Sequence, residues 1–137
     1  MNQSSTALVE LTYAKCRSIL SRTGIVLVDC WAASCGACKV LGPIYAKVAC
    51  RHPEHTFAKL DTLAEDELTS ALEIVNVPTL LLYRDGILLF KQPGNFDEAR
   101  LEDIISQAEA LDMDAVRADM EADGPDRPGA RKGGENG

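Results

Sequence analysis

Residues 31–38 read Trp-Ala-Ala-Ser-Cys-Gly-Ala-Cys and follow the mostly apolar run Ile25 to Asp29. Ile25-Val-Leu-Val is rich in β-branched residues and apolar on both faces, as expected of a central strand with helices on each side. Cys35 and Cys38 then fall on the first turn of the helix that should follow. That spacing lets the two sulfurs meet in a disulfide. It also leaves one thiol at a helix N-terminus, where partial positive charge favours its thiolate. A CxxC between a strand and a helix is a redox signal rather than a packing signal.

The bulk properties narrow the alternatives. A chain of 137 residues suits one domain with a single buried core. A formal charge of −7 argues against a nucleic-acid partner, whose binding needs clustered Lys and Arg. No apolar stretch approaches bilayer-spanning length, so no membrane partner is expected. The first residues, MNQSSTALVELTYAK, lack the basic leader, apolar core and cleavage site of a secretory signal. The five cysteines are an odd number, and Cys16, Cys30 and Cys50 show no framework spacing. A structural disulfide scaffold is not expected, and a reducing cytoplasm fits best.

Along the chain, Ala7 to Leu11 alternates weakly as a short first strand. Tyr13 to Leu20 is helical in spacing and ends at Gly24. The helix after the cysteines runs to about Cys50, with Val40, Leu41, Ile44 and Val48 on one face. Pro43 inside it predicts a kink. Thr56 to Leu60 reads as a strand, and Glu65 to Val75 as a helix with Leu68, Ala71, Leu72 and Val75 inward. Strands Thr79 to Tyr83 and Ile87 to Lys91 flank a hairpin signal at Asp85-Gly86. Asp97 caps a final amphipathic helix carrying Leu101, Ile104, Ile105 and Ala108. The order βαβαβαββα is an α/β layer architecture. Residues 1–112 form this domain. Residues 113–137 form an acidic extension, with Met113, Val116 and Met120 at helical spacing, and a Gly- and Pro-rich tail expected to be disordered. Arg127 to Lys132 could alternatively serve as a basic docking peptide.

Over about residues 7 to 110 the sequence resembles the thioredoxin family. The family pattern of strand, Asp, aromatic, Trp-Ala, CxxC-Lys is matched by VLVDCWAASCGACK, with Pro43 five residues past Cys38. AKLD at 58–61 resembles the lysine-bearing strand, IVNVPTLLLYRDG at 74–86 the cis-proline segment and hairpin, and Gly94 the glycine near the active site. The fold so implied is the thioredoxin fold, a central mixed β-sheet flanked by helices. Two departures stand out. Ser34 replaces an aromatic of the substrate-contacting rim, and Ala37 replaces the proline between the cysteines. Ala37 restores an N–H near the helix start that can bond the Cys35 thiolate. Cys30, where an aromatic is usual, reads as a small buried hydrophobe.

The implied activity is thiol–disulfide exchange with protein disulfides. Cys35 attacks and Cys38 resolves. The resemblance makes Asp29 the base for the Cys38 proton, through a water, with Lys59 pairing to its carboxylate. It makes the bond before Pro78 cis, exposing the Val77 backbone to an extended substrate. Trp31, Gly36, Ala37 and Gly94 complete the substrate-facing surface. No cofactor is expected, and electrons come from an NADPH-dependent thioredoxin reductase. A thioredoxin-fold interaction module, a holdase or assembly factor with a vestigial CxxC, is the alternative. A zinc reading also exists, because Cys35-x2-Cys38 is followed after thirteen residues by His52-x2-His55. The histidines are one residue too close for that pattern and flank Pro53 at the far end of a roughly 20 Å helix. They are expected to be surface side chains, with no metal.

Overall fold

A computed structural model describes residues 8–122 of the chain. Five strands, β1 (Val9–Glu10), β2 (Ile25–Trp31), β3 (Thr56–Asp61), β4 (Thr79–Arg84) and β5 (Ile87–Pro93), form one sheet in the order β1-β3-β2-β4-β5. β3 runs parallel to β1 and to β2, whereas β4 is antiparallel to both β2 and β5. Helices α1 (Cys16–Leu20), α2 (Gly36–Arg51), α3 (Asp66–Ala71), α4 (Glu98–Ala110) and α5 (Met113–Ala122) complete the chain. The fold is the expected thioredoxin fold, with its mixed sheet between helices.

Side chains alternate across β2, so the sheet has two apolar faces and two cores. Ile25 and Leu27 pack with Leu41, Tyr45 and Val48 of α2 and Leu101, Ile104 and Ile105 of α4. Val26, Val28 and Cys30 point the other way and pack with Ile19 of α1 and Leu68 of α3. Each large side chain buried this way stabilises the fold by about 1.5–3 kcal/mol. Helix α4 is held at both ends. The Asp97 carboxylate accepts the Arg100 N–H at 2.8 Å, and Arg84 donates to the carbonyls of Ala108 and Leu111 at 2.6 and 3.0 Å. Both contacts satisfy backbone groups that a helix terminus leaves unpaired.

Two faces differ from the periodicity reading. Val40 of α2 is 60% exposed, and Cys38 and Tyr45 are buried in its place. The helix is rotated so that Cys38 and Tyr45, two turns apart, both look toward the sheet. α3 also ends earlier than expected, at Ala71. Glu73 takes a left-handed φ of 58°, which turns Ile74 into the core and leaves Val75 88% exposed. Ala71 is exposed as well. α5 forms over the expected segment, with Met113 buried and Met120 exposed. Ala7, the Gly- and Pro-rich tail and the Arg127 to Lys132 segment lie outside the described residues.

The β4–β5 hairpin shows how sequence sets the register. Asp85 and Gly86 both have positive φ, 53° and 84°, the backbone of a two-residue turn that matches strand twist. The Asp85 carboxylate accepts the Gly24 N–H at 2.8 Å. A Cβ at position 86 meets nothing closer than 3.7 Å, so the demand for glycine is torsional. Gly86→Val is therefore expected to destabilise the fold by about 1–2 kcal/mol, read as a lower urea midpoint at unchanged m-value.

Candidate active site

β2 delivers its C-terminal end to the middle of the sheet edge. The Trp31 carbonyl is fixed there by the Thr62 N–H at 2.9 Å and the Thr62 hydroxyl at 3.0 Å. Small residues 32–34 then let the chain turn, with the Cys35 N–H donating to the Ala32 carbonyl at 3.1 Å. Cys35 is the N-cap of α2. Its sulfur accepts the Cys38 N–H at 3.1 Å, the role usually played by a side-chain oxygen. Cys35 and Cys38 are joined in a disulfide with Cα atoms 5.3 Å apart. Cys35 is partly exposed, whereas Cys38, one turn in, is 5% exposed. The amide that reaches the cap sulfur is thus that of Cys38, not that of Ala37. Gly36 and Ala37 occupy the first two helical positions.

Asp29 lies on the α2-facing side of β2 and is fully buried. Neither of its carboxylate oxygens has a hydrogen-bond partner among the described residues. Burial raises its pKa to about 6, against a smaller lowering by the charge of Lys59. Lys59 is its register neighbour on β3, yet the two make no ion pair at contact distance. The ammonium instead stands over the Trp31 ring, 5.0 Å from its centroid. It keeps access to a cleft of about 710 Å³ bordered by Trp31, Cys38, Gly42 and Pro43. A long lysine stem reaches this wet edge, where hydration costs nothing, while the short aspartate cannot follow. Contact pairing of Lys59 with Asp29 was expected, and the influence is one of charge across space.

Tyr45 is a site residue that sequence reasoning passed over. It is fully buried under α2, its hydroxyl donates to the Ala58 carbonyl at 2.8 Å, and burial together with the Asp29 charge raises its pKa. The available signal was its seven-residue offset from Cys38, which places both on one helix face. Cys30, on the opposite face of β2, has its thiol pushed up to about 12 by burial and by Asp29, with Lys91 acting in the other direction. It therefore stays protonated and inert.

The other loops reach the same sheet edge. Cys30 pairs with Thr79, so Pro78 lies level with Trp31 at the start of β4. The Val77–Pro78 bond is cis. Pro78 is buried and Val77 half-buried. The Pro78 carbonyl accepts the Gly94 N–H at 2.9 Å, and Gly94 has φ 118°, a conformation that favours glycine. His52 and His55 do not join this group. They stand beyond the C-terminus of α2, a helix of 16 residues and about 24 Å long.

A buried carboxylate, a disulfide at a helix start and a cis-proline loop thus share one end of a mixed sheet. The sequence model of thioredoxin matches residues 7–107. The chain belongs to the thioredoxin family. It is 45% identical over 112 residues to a Streptomyces coelicolor protein named "Putative thioredoxin 2", a match covering 82% of this chain and 84% of that one. A Mycoplasmoides gallisepticum thioredoxin is 35% identical, covering 67% of this chain and 92% of that one. Among solved structures, a mutant thioredoxin from Halobacterium salinarum superposes with a TM-score of 0.69 at 29% identity, covering 79% of this chain and 99% of that one. Family membership and the Cys35–Cys38 pair together support a thiol–disulfide oxidoreductase. No helix among the described residues is long and apolar enough to cross a membrane.

The raised pKa of Asp29 carries a stability consequence with a definite sign. Between its ordinary value of 3.8 and about 6, the folded state holds a proton that the unfolded state has lost. Stability from this group therefore falls as pH rises through that window, and the penalty is complete above it. A shift of that size amounts to about 3 kcal/mol. Asp29→Asn is expected to stabilise the protein by about 1–3 kcal/mol at pH 8, less where the buried amide also lacks a partner. The gain should vanish near pH 4, and denaturant titration at the two pH values measures it.

Proposed function

We propose that the protein reduces disulfides in protein substrates through Cys35 and Cys38. The observation that carries this reading is the graded exposure of the pair, with a partly exposed sulfur capping α2 and a buried one a turn behind it. In the reduced state the cap position favours the Cys35 thiolate through the Cys38 N–H and the helix terminus. That thiolate attacks one sulfur of a substrate disulfide, and the other leaves as a thiolate, giving a mixed disulfide. Cys38 loses its proton to Asp29 by way of a water and attacks the Cys35 sulfur. The substrate departs as a second thiolate, and two electrons have passed from the dithiol to the substrate. A group titrating near 6 accepts such a proton at neutral pH without holding it.

The backbone N–H and C=O of Val77 make no hydrogen bond among the described residues. They are free to pair with an extended substrate segment, beside Trp31, Gly36, Ala37 and Gly94. An NADPH-dependent flavoprotein reductase would restore the dithiol, and the domain would act in a reducing compartment where Cys16, Cys30 and Cys50 stay as free thiols. Turnover of insulin disulfides with dithiothreitol tests the reading. The wild type should accelerate reduction and Cys35→Ser should not. Brief alkylation of the reduced protein near neutral pH should label Cys35 before Cys38, Cys16 or Cys50. Equal turnover by Cys35→Ser would instead favour a non-redox interaction module.

Ala37 tunes the couple. It holds the second helical position, where its N–H does not bond the cap sulfur but adds to the partial positive charge of the helix start that favours a Cys35 thiolate. Proline there deletes that donor, so Ala37→Pro should be the stronger reductant by up to ~30 mV, or ~1.4 kcal/mol for a two-electron couple. Equilibration of both proteins with glutathione buffers reads the difference.

A further inference from the structure

Away from the dithiol, the turn between α2 and β3 meets the C-terminal part of α4, and four metal-ligating side chains converge there. His52, Glu54, His55 and Glu109 each offer one donor atom, and all four atoms lie within 4.8 Å of one another. Glu54 Oε2 is 3.5 Å from both His52 Nδ1 and His55 Nε2. Glu109 Oε2 is 2.8 Å from His55 Nε2. Donors around a tetrahedral ion with bonds of about 2.0 Å stand about 3.3 Å apart, so small side-chain adjustments close this cage. Three donors come from the short turn His52-Pro53-Glu54-His55, which is tightened by the His55 N–H donating to the His52 carbonyl at 3.0 Å.

Three further observations point the same way. The second ring nitrogen of His52, Nε2, lies 2.7 Å from Glu102 Oε1. Such a carboxylate behind an imidazole fixes which nitrogen faces the metal and strengthens it as a donor. The local charge is also lopsided. Among the described residues, Glu54 and Glu109 form ion pairs only with these two histidines; the nearby Arg51 is shared between Glu102 and Glu98, and Arg84 donates to the Glu109 backbone carbonyl at 3.2 Å and not to its carboxylate. Nor are the histidines free surface groups, with side chains only 17% and 10% exposed.

We propose that His52, Glu54, His55 and Glu109 form a binding site for a divalent first-row metal ion, with zinc the best match to a tetrahedral donor set of two nitrogens and two oxygens. Four protein ligands leave no open coordination position, so the site is structural. It ties the turn leading into β3 to α4, at the opposite end of α2 from Cys35 and Cys38.

Zinc titration of the full-length protein tests this, with the Cys35–Cys38 disulfide kept oxidised so that neither sulfur can ligate. Competition against a chromogenic chelator should show one equivalent bound. Cobalt(II) should give the visible bands of a tetrahedral site without a thiolate charge-transfer band. Glu102→Gln should weaken binding ~10-fold, and His55→Ala or Glu109→Gln ~100-fold or more. Glu109 is more exposed than His55, so its substitution removes a donor without disturbing the core, and circular dichroism confirms folding of each variant. Zinc binding that survives both ligand substitutions overturns the proposal, as does no binding by the wild type. Loss of binding in Cys50→Ser would show a thiolate ligand and equally overturn this donor set.

Discussion

β2 has a strand on each edge and helices over each face, and all of its residues from Ile25 to Cys30 are buried. That placement stabilises the two cores, and it also carries Asp29 into them. Among the described residues the carboxylate has no hydrogen-bond partner and no ion pair, only the charge of Lys59 across space, so it raises the free energy of the folded state. The strand that organises the molecule therefore also holds its least comfortable group. Such a group persists where chemistry has a use for it, and under the function proposed above that use is the proton of the reduced Cys38 on the covering helix.

Much of the fold was legible because local and long-range preferences agree. The apolar run of β2, the Asp85-Gly86 turn and the Asp97 cap each dictate one outcome, and all three occur at the residues the pattern indicated. The disagreements lie where periodicity is nearly degenerate. On α2, Val40 and Tyr45 compete for the inward direction, and an apolarity count favours valine. The sheet decides instead, since the ring of Tyr45 packs edge-on against Phe57 and its hydroxyl finds the Ala58 carbonyl. On α3, nothing in the sequence announces that Glu73 adopts a left-handed φ, and one such residue exchanges Ile74 for Val75.

The site was legible in its reacting groups and less so in its electrostatics. Cys35 and Cys38 are brought together by their spacing at a helix start, whereas Asp29 and the loop at Pro78 join them only through the resemblance to thioredoxins. The partner of Lys59 could not be read this way. Register puts Lys59 beside Asp29, but side-chain length and the solvated cleft decide that its ammonium rests on Trp31. The histidines were harder still. Their spacing in sequence suggested the cysteines as companions, whereas their real neighbours, Glu102 and Glu109, come from a helix that begins some forty residues later.

The cap of α2 separates two substitutions commonly treated as equivalent. Because the atom that reacts is also the atom that starts the helix, silencing the chemistry need not leave the scaffold untouched. Serine is among the better N-cap residues, so Cys35→Ser keeps an acceptor for the Cys38 N–H and a helix that begins where it did. Alanine offers none and forfeits about 1 kcal/mol of capping. A difference between the two knock-outs in partner binding or thermal stability would therefore report on the frayed first turn of α2, not on electron transfer.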